Sequence, residues 1–270
     1  MSEDRVSITI TDGIADVRMT RTDKRNALDN AMFMALADAG ERLKNEPGVR
    51  VVVLSGDGAS FCAGLDLGTM TALAGGGERP ADGNPGEMKE GRITHLGQQV
   101  CWVWQEVPVP VIAAVHGHAL GGGIQLALGA DIRIVHPDTQ MSVREVFWGL
   151  VPDMTGTLFL SQLVGADVAK ELVFTARIFD GREAKELGLA TKVSDTPFDD
   201  AMALAREIAG RSPDAVRAAK QLMNGLFNQG AAEQFAAERA GIGSLVGRPN
   251  QKEAVVSWFE KRPPAFIDPS

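Results

Sequence analysis

Apolar and polar residues alternate over Val6–Thr11 and again over residues 14–20, with Asp12-Gly13 between the two runs. A period of two around Asp-Gly predicts a β-hairpin, because that dipeptide takes the positive φ of a tight turn. The period then lengthens. Met32, Leu36, Ala39 and Leu43 fall on one helical face, Asp29 stands where an N-cap belongs, and Pro47-Gly48 closes the segment. Residues 51–54 form a continuous apolar run of strand length, the pattern of a strand buried on both faces. Two further runs of this kind follow at 109–115 and Ile132–Val135. A helix is predicted up to about Gln105, and another over 121–128. Residues 68–91 carry Gly75-Gly76-Gly77 and Asn84-Pro85-Gly86, which predicts a mobile surface loop or lid.

Near Phe198 the strand signal stops. Residues 201–210, 213–228, 231–245 and 251–260 all repeat with helical period. The pattern predicts an α/β core with largely parallel strands over residues 1–199 and an all-α region over 200–270.

Composition narrows the functional classes. Hydrophobic residues make up 44% and charged residues 23%, ordinary for a soluble globular chain. The net charge of -8 leaves no broad basic surface for non-specific nucleic-acid binding. The most apolar stretch, 107–130, is broken by prolines, histidines and glycines, so no membrane span is expected. Cys62 and Cys101 have neither disulfide-scaffold nor metal-ligand spacing; no metal is expected, and a reducing cytoplasm fits. The polar, acidic residues 1–5 read as neither a signal nor a transit peptide, in keeping with a cytoplasmic location.

Three segments carry chemistry. Ser60-Phe61-Cys62-Ala63-Gly64-Leu65-Asp66-Leu67 follows the first buried run, and Gly117-His118-Ala119-Leu120-Gly121-Gly122-Gly123 follows the second. Consecutive glycines let the main chain approach a ligand and leave the first N–H groups of the next helix unpaired. Such donors suit an anion, or a carbonyl oxygen that gains charge during a reaction. A tight strand-to-helix turn also needs glycine, so spacing alone leaves both readings open. Residues 144–157 hold two carboxylates, Glu145 and Asp153, in apolar surroundings that raise a carboxyl pKa toward the useful range. Glu145 equally suits an ion pair with Arg144, and Asp153 an N-cap for a helix beginning near Met154.

In order and spacing, four motifs resemble the crotonase (enoyl-CoA hydratase/isomerase) superfamily across essentially the whole chain. They are Arg21-x-x-Lys24-Arg25-Asn26-Ala27-Leu28, Phe61-x-Ala63-Gly64-x-Asp66-Leu67, Ala114-Val115-His116-Gly117 through Gly121-Gly122-Gly123, and Glu145-x-x-x-Gly149-Leu150-x-Pro152. The C-terminal Trp258-Phe259-Glu260-Lys261-Arg262-x-Pro264-x-Phe266 also looks like the family's ending. The resemblance implies a spiral of ββα units followed by a helical region that builds homotrimers, often paired as dimers of trimers. It implies an oxyanion hole from the N–H groups of Ala63 and Gly122. Lys24, Arg25, Ala27 and Asp66 then fall at the CoA-binding positions, and no cofactor is implied beyond the CoA carried by the substrate.

Family hydratases place a glutamate after the triple glycine and another at the position of Glu145. Here the first is Gln125, whose amide cannot take a proton from water. Glu145 with Asp153 is similar to the dienoyl-CoA isomerase branch, where a Glu and an Asp at these positions shuttle protons; a further Asp of that branch falls at Gln125. An Asp near 153 also serves aroyl-CoA dehalogenases, which need a His base, and His95 lies in the region preceding. His116, His118 and His136 read as ordinary turn histidines. The resemblance therefore implies isomerisation of an enoyl- or dienoyl-CoA in fatty-acid metabolism, with Glu145 and Asp153 as acid/bases and Gln125 orienting substrate or water. The alternatives are hydration of 2-enoyl-CoA to 3-hydroxyacyl-CoA, or acyl-CoA binding without catalysis.

Overall fold

The computed structural model describes residues 5–69, 86, 88, 91–226, 244 and 248–268. In chain order these form β1 (Val6–Thr11), β2 (Ile14–Met19), α1 (Asn30–Lys44), β3 (Val51–Gly56), α2 (Leu96–Glu106), β4 (Val111–Val115), β5 (His118–Leu120) and α3 (Gly122–Leu128). There follow β6 (Ile132–Val135), β7 (Gln140–Ser142), α4 (Gly156–Leu163), α5 (Ala166–Thr175), α6 (Gly181–Leu187), β8 (Lys192–Val193), α7 (Pro197–Ala209), α8 (Pro213–Gly225) and α9 (Pro249–Glu260). Single 3-10 turns occupy Thr22–Lys24 and Glu145–Trp148.

The hairpin forms as the alternation requires, with Asp12 and Gly13 both at positive φ between antiparallel β1 and β2. From β2 onward every pairing is parallel, giving the sheet order β1-β2-β3-β4-β6-β8. β5 and β7 make a separate parallel pair. The strand expected at 109–115 begins at Val111, because Pro108 and Pro110 have no N–H to give to a ladder.

Period-two geometry explains why β3 and β4 are apolar throughout. Val52, Leu54, Ala113 and Val115 point into the main core with α1 and α2, while Val51, Val53, Ile112 and Ala114 point to the opposite face. Ala201 and Ala205 of α7 cover that second face. The boundary expected near residue 199 thus falls inside a helix that packs on the sheet. α8 is tied back by Lys220, a buried ammonium donating to the carbonyls of Trp104 (2.8 Å) and Val109 (3.0 Å) and pairing with Asp131 at 2.7 Å. A buried cation with every donor engaged is tolerable; one without would not be.

The helix expected at 231–245 lies almost wholly outside the described residues, as does most of the loop expected at 68–91. Among the described residues no helix is long and apolar enough to cross a membrane.

Candidate active site

Segment 61–66 leaves β3 and is laced to its neighbours on both sides. Phe61 and Cys62 donate N–H bonds to the carbonyls of His116 (2.8 Å) and His118 (2.9 Å), and Leu120 returns one to Cys62. On the other side Leu28 donates to Gly64 (2.8 Å), Asp66 donates to Leu28 (3.0 Å), and Ala63 donates to the Arg25 carbonyl at 3.0 Å. The Ala63 N–H is therefore spent inside the protein, which corrects its expected place in the oxyanion hole. The Gly64 N–H turns to the Cys62 sulfur, whose pKa burial pushes up to about 12. That leaves Leu65, whose N–H has no acceptor among the described residues. The pattern is that of a parallel bridge between Leu28 and Leu65, in which the bridging residue's own amide faces away from its partner.

Gly122, the other expected donor, opens α3, where the first N–H groups have no intrahelical partner, and its own N–H has no acceptor among the described residues. Gly64 packs against the same turn. It holds φ at +89°, and a side chain there would strike the Leu120 carbonyl at 2.5 Å and approach the Gly122 nitrogen to 3.8 Å. The free amides of Leu65 and Gly122 are brought together by this close approach, and only glycine permits it.

The carboxylate stands alongside. Glu145 begins a 3-10 turn, and its Oε1 lies 3.3 Å from where a side chain on Gly121 would project. Gln125 is fully buried and clamps it. The Gln125 Nε2 donates to Glu145 Oε1 at 2.6 Å, while its Oε1 accepts the backbone N–H groups of Met154 and Gly156, each at 3.0 Å. Gln125 therefore joins Glu145 to the start of α4, and its carbonyl oxygen is occupied by the protein. Glu145 Oε2 is buried and has no partner. Burial raises the Glu145 pKa, the charge of Asp153 adds to the rise, and the hydrogen bond from Gln125 opposes it. The alternative reading of Glu145, an ion pair with Arg144, finds no such pair among the described residues: that guanidinium sits 3.8 Å over the Phe147 ring and donates to the Ala176 carbonyl.

Asp153 is exposed and makes no hydrogen bond among the described residues. Its reading as an N-cap is corrected, since α4 starts at Gly156 with Thr155 at the cap position, held at φ +68°. His95 is a cap instead: its Nδ1 accepts the Gln98 N–H, and its own N–H goes to the Gln98 side chain.

Of the expected CoA-binding residues, Lys24 and Arg25 are exposed on the turn before α1. Asp66 is used internally. It pairs with Arg21 at 2.8 Å and accepts the N–H groups of Gly68 and Thr69; burial opposes its ionisation, yet Arg21 and these donors hold its pKa below the usual range. Ala27 is buried, its N–H and carbonyl both bonded, to the Lys24 carbonyl and the Arg21 side chain. Asn26, not singled out from sequence, is also structural: at φ +56° it donates to the carbonyls of Asp57 and Ser60 and so pins the loop ahead of segment 61–66. An Asn beside a basic pair, where αL geometry favours Asn, was the signal available. Among the described residues no group of three His, Cys, Asp or Glu is placed to hold a metal ion.

Comparison with known proteins agrees with this geometry. A family model described as enoyl-CoA hydratase/isomerase matches residues 9–269. Enoyl-CoA hydratase domain-containing protein 2, mitochondrial, of Mus musculus is 33% identical over 262 residues, covering 94% of this chain and 84% of that protein. Methylglutaconyl-CoA hydratase, mitochondrial, of Homo sapiens is 31% identical over 261 residues, covering 94% of this chain and 74% of that one. The crystal structure of enoyl-CoA hydratase from Mycobacterium tuberculosis H37Rv superposes with a TM-score of 0.84 at 32% identity, over 98% of this chain and 99% of that chain. The expected crotonase-type α/β fold is thereby established, and the chain belongs to the enoyl-CoA hydratase/isomerase family.

Proposed function

We propose that this enzyme isomerises the double bond of an enoyl-CoA or dienoyl-CoA thioester, with Glu145 as its principal acid/base. The observation that carries the reading is the clamp on Gln125. Its carbonyl oxygen is taken by two backbone donors, so Gln125 activates no water, and among the described residues Glu145 Oε2 is the one buried carboxylate oxygen left unpartnered. Gln125 thus positions Glu145, rather than orienting substrate or water as expected from sequence.

The thioester oxygen is received by the N–H groups of Leu65 and Gly122. As the Glu145 carboxylate removes the proton from the α-carbon, the electron pair moves into the carbonyl and the oxygen gains charge, which the two donors stabilise. Protonated Glu145 then returns the same proton to the γ-carbon, and the double bond moves into conjugation without gain or loss of atoms. The raised pKa of Glu145 suits both halves of this exchange. Asp153 is the second acid/base for a longer conjugated chain, and Lys24 and Arg25 meet the phosphates of CoA. A homotrimer, alone or paired, belongs to the same reading; Phe147 and Val151, 58% and 70% exposed beside the site, are apolar surface that a second copy would cover.

Hydration is the second reading, favoured by one observation: the Asp153 charge acts on Glu145, so two carboxyls lie within electrostatic reach. Mass spectrometry of products from 2-enoyl-, 3-enoyl- and 3,5-dienoyl-CoA separates the two. Isomerisation leaves mass unchanged and hydration adds one water; addition of water to 2-enoyl-CoA as the dominant reaction would overturn the isomerase assignment.

A further inference from the structure

We infer that His118, tethered by Ser60, is a positioning residue that orients the Arg25 guanidinium toward the anionic end of the ligand. The inference rests on the reading of Arg25 as a contact for the CoA phosphates.

The Arg25 main chain is already fixed. Its φ of +50° is left-handed, its N–H donates to Thr22, and its carbonyl accepts the Ala63 N–H. The side chain reaches outward, and among the described residues its guanidinium has one side-chain partner: Nη1 lies 3.5 Å from His118 Nε2. An arginine only donates, so Nε2 carries the lone pair and the imidazole proton resides on Nδ1. Nδ1 lies 2.8 Å from Ser60 Oγ, which accepts that proton and fixes both tautomer and ring plane. Burial, with Arg25 alongside, lowers the pKa of His118 and keeps the ring in this neutral form.

Ser60 is fully buried, and its place is over-determined. Asn26 holds its carbonyl at 2.8 Å, and the loop 59–60 presses so closely on Gly117 that a side chain there would collide with the Ala59 carbonyl. His118 in turn belongs to β5, whose carbonyl accepts the Cys62 N–H. The chain of contacts therefore runs from the oxyanion segment through β5 and Ser60 to the ring, and from the ring to an exposed arginine. A long cation left to itself loses rotamer freedom when it meets a phosphate; one oriented in advance loses less. The ligand chemistry this serves is a phosphate ester or pyrophosphate, matched by a guanidinium fork.

Titration calorimetry of the full chain with CoA tests the inference. His118→Phe, which keeps the ring volume and removes both nitrogens, weakens CoA binding roughly three- to tenfold, the cost of ordering one free side chain. Ser60→Ala moves affinity in the same direction, and His118→Gln, which returns an acceptor to Arg25, recovers most of it. Arg25→Ala weakens binding at least as much, and adding His118→Phe to it costs nothing further, since His118 acts only through Arg25. Unchanged affinity in His118→Phe, with Arg25→Ala weakened, overturns the role of His118 alone. An equal His118→Phe loss in both backgrounds makes the residue merely structural and also overturns it. No effect of Arg25→Ala removes the phosphate reading of Arg25 and this inference together.

Discussion

Replacing Gln125 by Leu gives the sharpest test of how the site is held. The amide is fully buried and serves three partners at once. Leucine fills much the same space but offers nothing to the Met154 and Gly156 N–H groups, which stay buried. Each orphaned donor costs about 1–3 kcal/mol, so the pair alone costs about 2–6 kcal/mol. That is a large share of the about 5–15 kcal/mol by which a domain of this kind is stable. Urea unfolding at pH 7 reads the loss directly. A second signature appears in the rate. Removing the Gln125 hydrogen bond takes away an influence that lowers the Glu145 pKa, so the acid limb of kcat/KM moves to higher pH. Gln125→Glu separates the two effects, because it keeps an acceptor for both backbone donors but sets a second carboxylate against Glu145. Its stability stays near the parent's at low pH, where the pair shares a proton, and falls as pH rises and the second proton leaves. A Leu variant within about 0.5 kcal/mol of the parent, with an unmoved acid limb, refutes the clamp.

Asp153→Asn shifts the acid limb of kcat/KM the opposite way, to lower pH, by removing a like charge that raises the Glu145 pKa; a limb that stays put or rises sinks the coupling. Glu145→Gln lowers turnover about 10²–10⁴-fold. Because burial raises the Glu145 pKa, the parent loses stability as pH rises above the ordinary carboxylate range and through the folded value, so thermal melts show Glu145→Gln gaining on the parent as pH rises, and a pH-independent difference contradicts the assignment. Asp66→Asn costs about 1–3 kcal/mol at pH 7 by weakening its bonds to Arg21 and the 68–69 amides. Since folding lowers the Asp66 pKa, the parent's advantage is lost as pH falls through that value, and a deficit that grows on acidification contradicts the assignment. Finally, burial pushes Cys62 to about 12 and raises Cys101 as well, so a disulfide-exchange reagent titrates neither thiol in the native enzyme and both after unfolding.

The long periodic segments were legible in the chain because burial dictated their pattern. The hairpin, α1 with its Asp29 cap, β3 and β6 all follow from spacing, and the side chain of Asp29 does accept the Met32 N–H. β5 and β7 were not, since three residues are too few to show a period. α5 and α6 were missed for a related reason, since they expose much of their length, whereas the helix expected near Met154 is present as α4 and begins two residues later, after a left-handed Thr155 that composition does not announce. Residue type singled out Glu145, Gln125 and Gly122 as candidates. The choice between Ala63 and Leu65 depends on which amide a neighbouring carbonyl has already taken, and that is decided by pairing with residues about forty positions away. Gln125's role was hidden for the same reason, because its partners lie 20 to 31 residues further on, in the 3-10 turn at Glu145 and at the start of α4.

The lacing of segment 61–66 on both edges has a consequence for how such a protein diversifies. Its register is set by main-chain bonds to 25–28 on one side and 116–120 on the other, so exchange of side chains elsewhere leaves the course of this main chain untouched. Gln125 and Asp153 sit outside that laced unit, on α3 and on the approach to α4. Selection, or a designer, is thereby free to exchange the side chains at 125 and 153 while the main-chain turn that we propose receives the thioester oxygen keeps its shape.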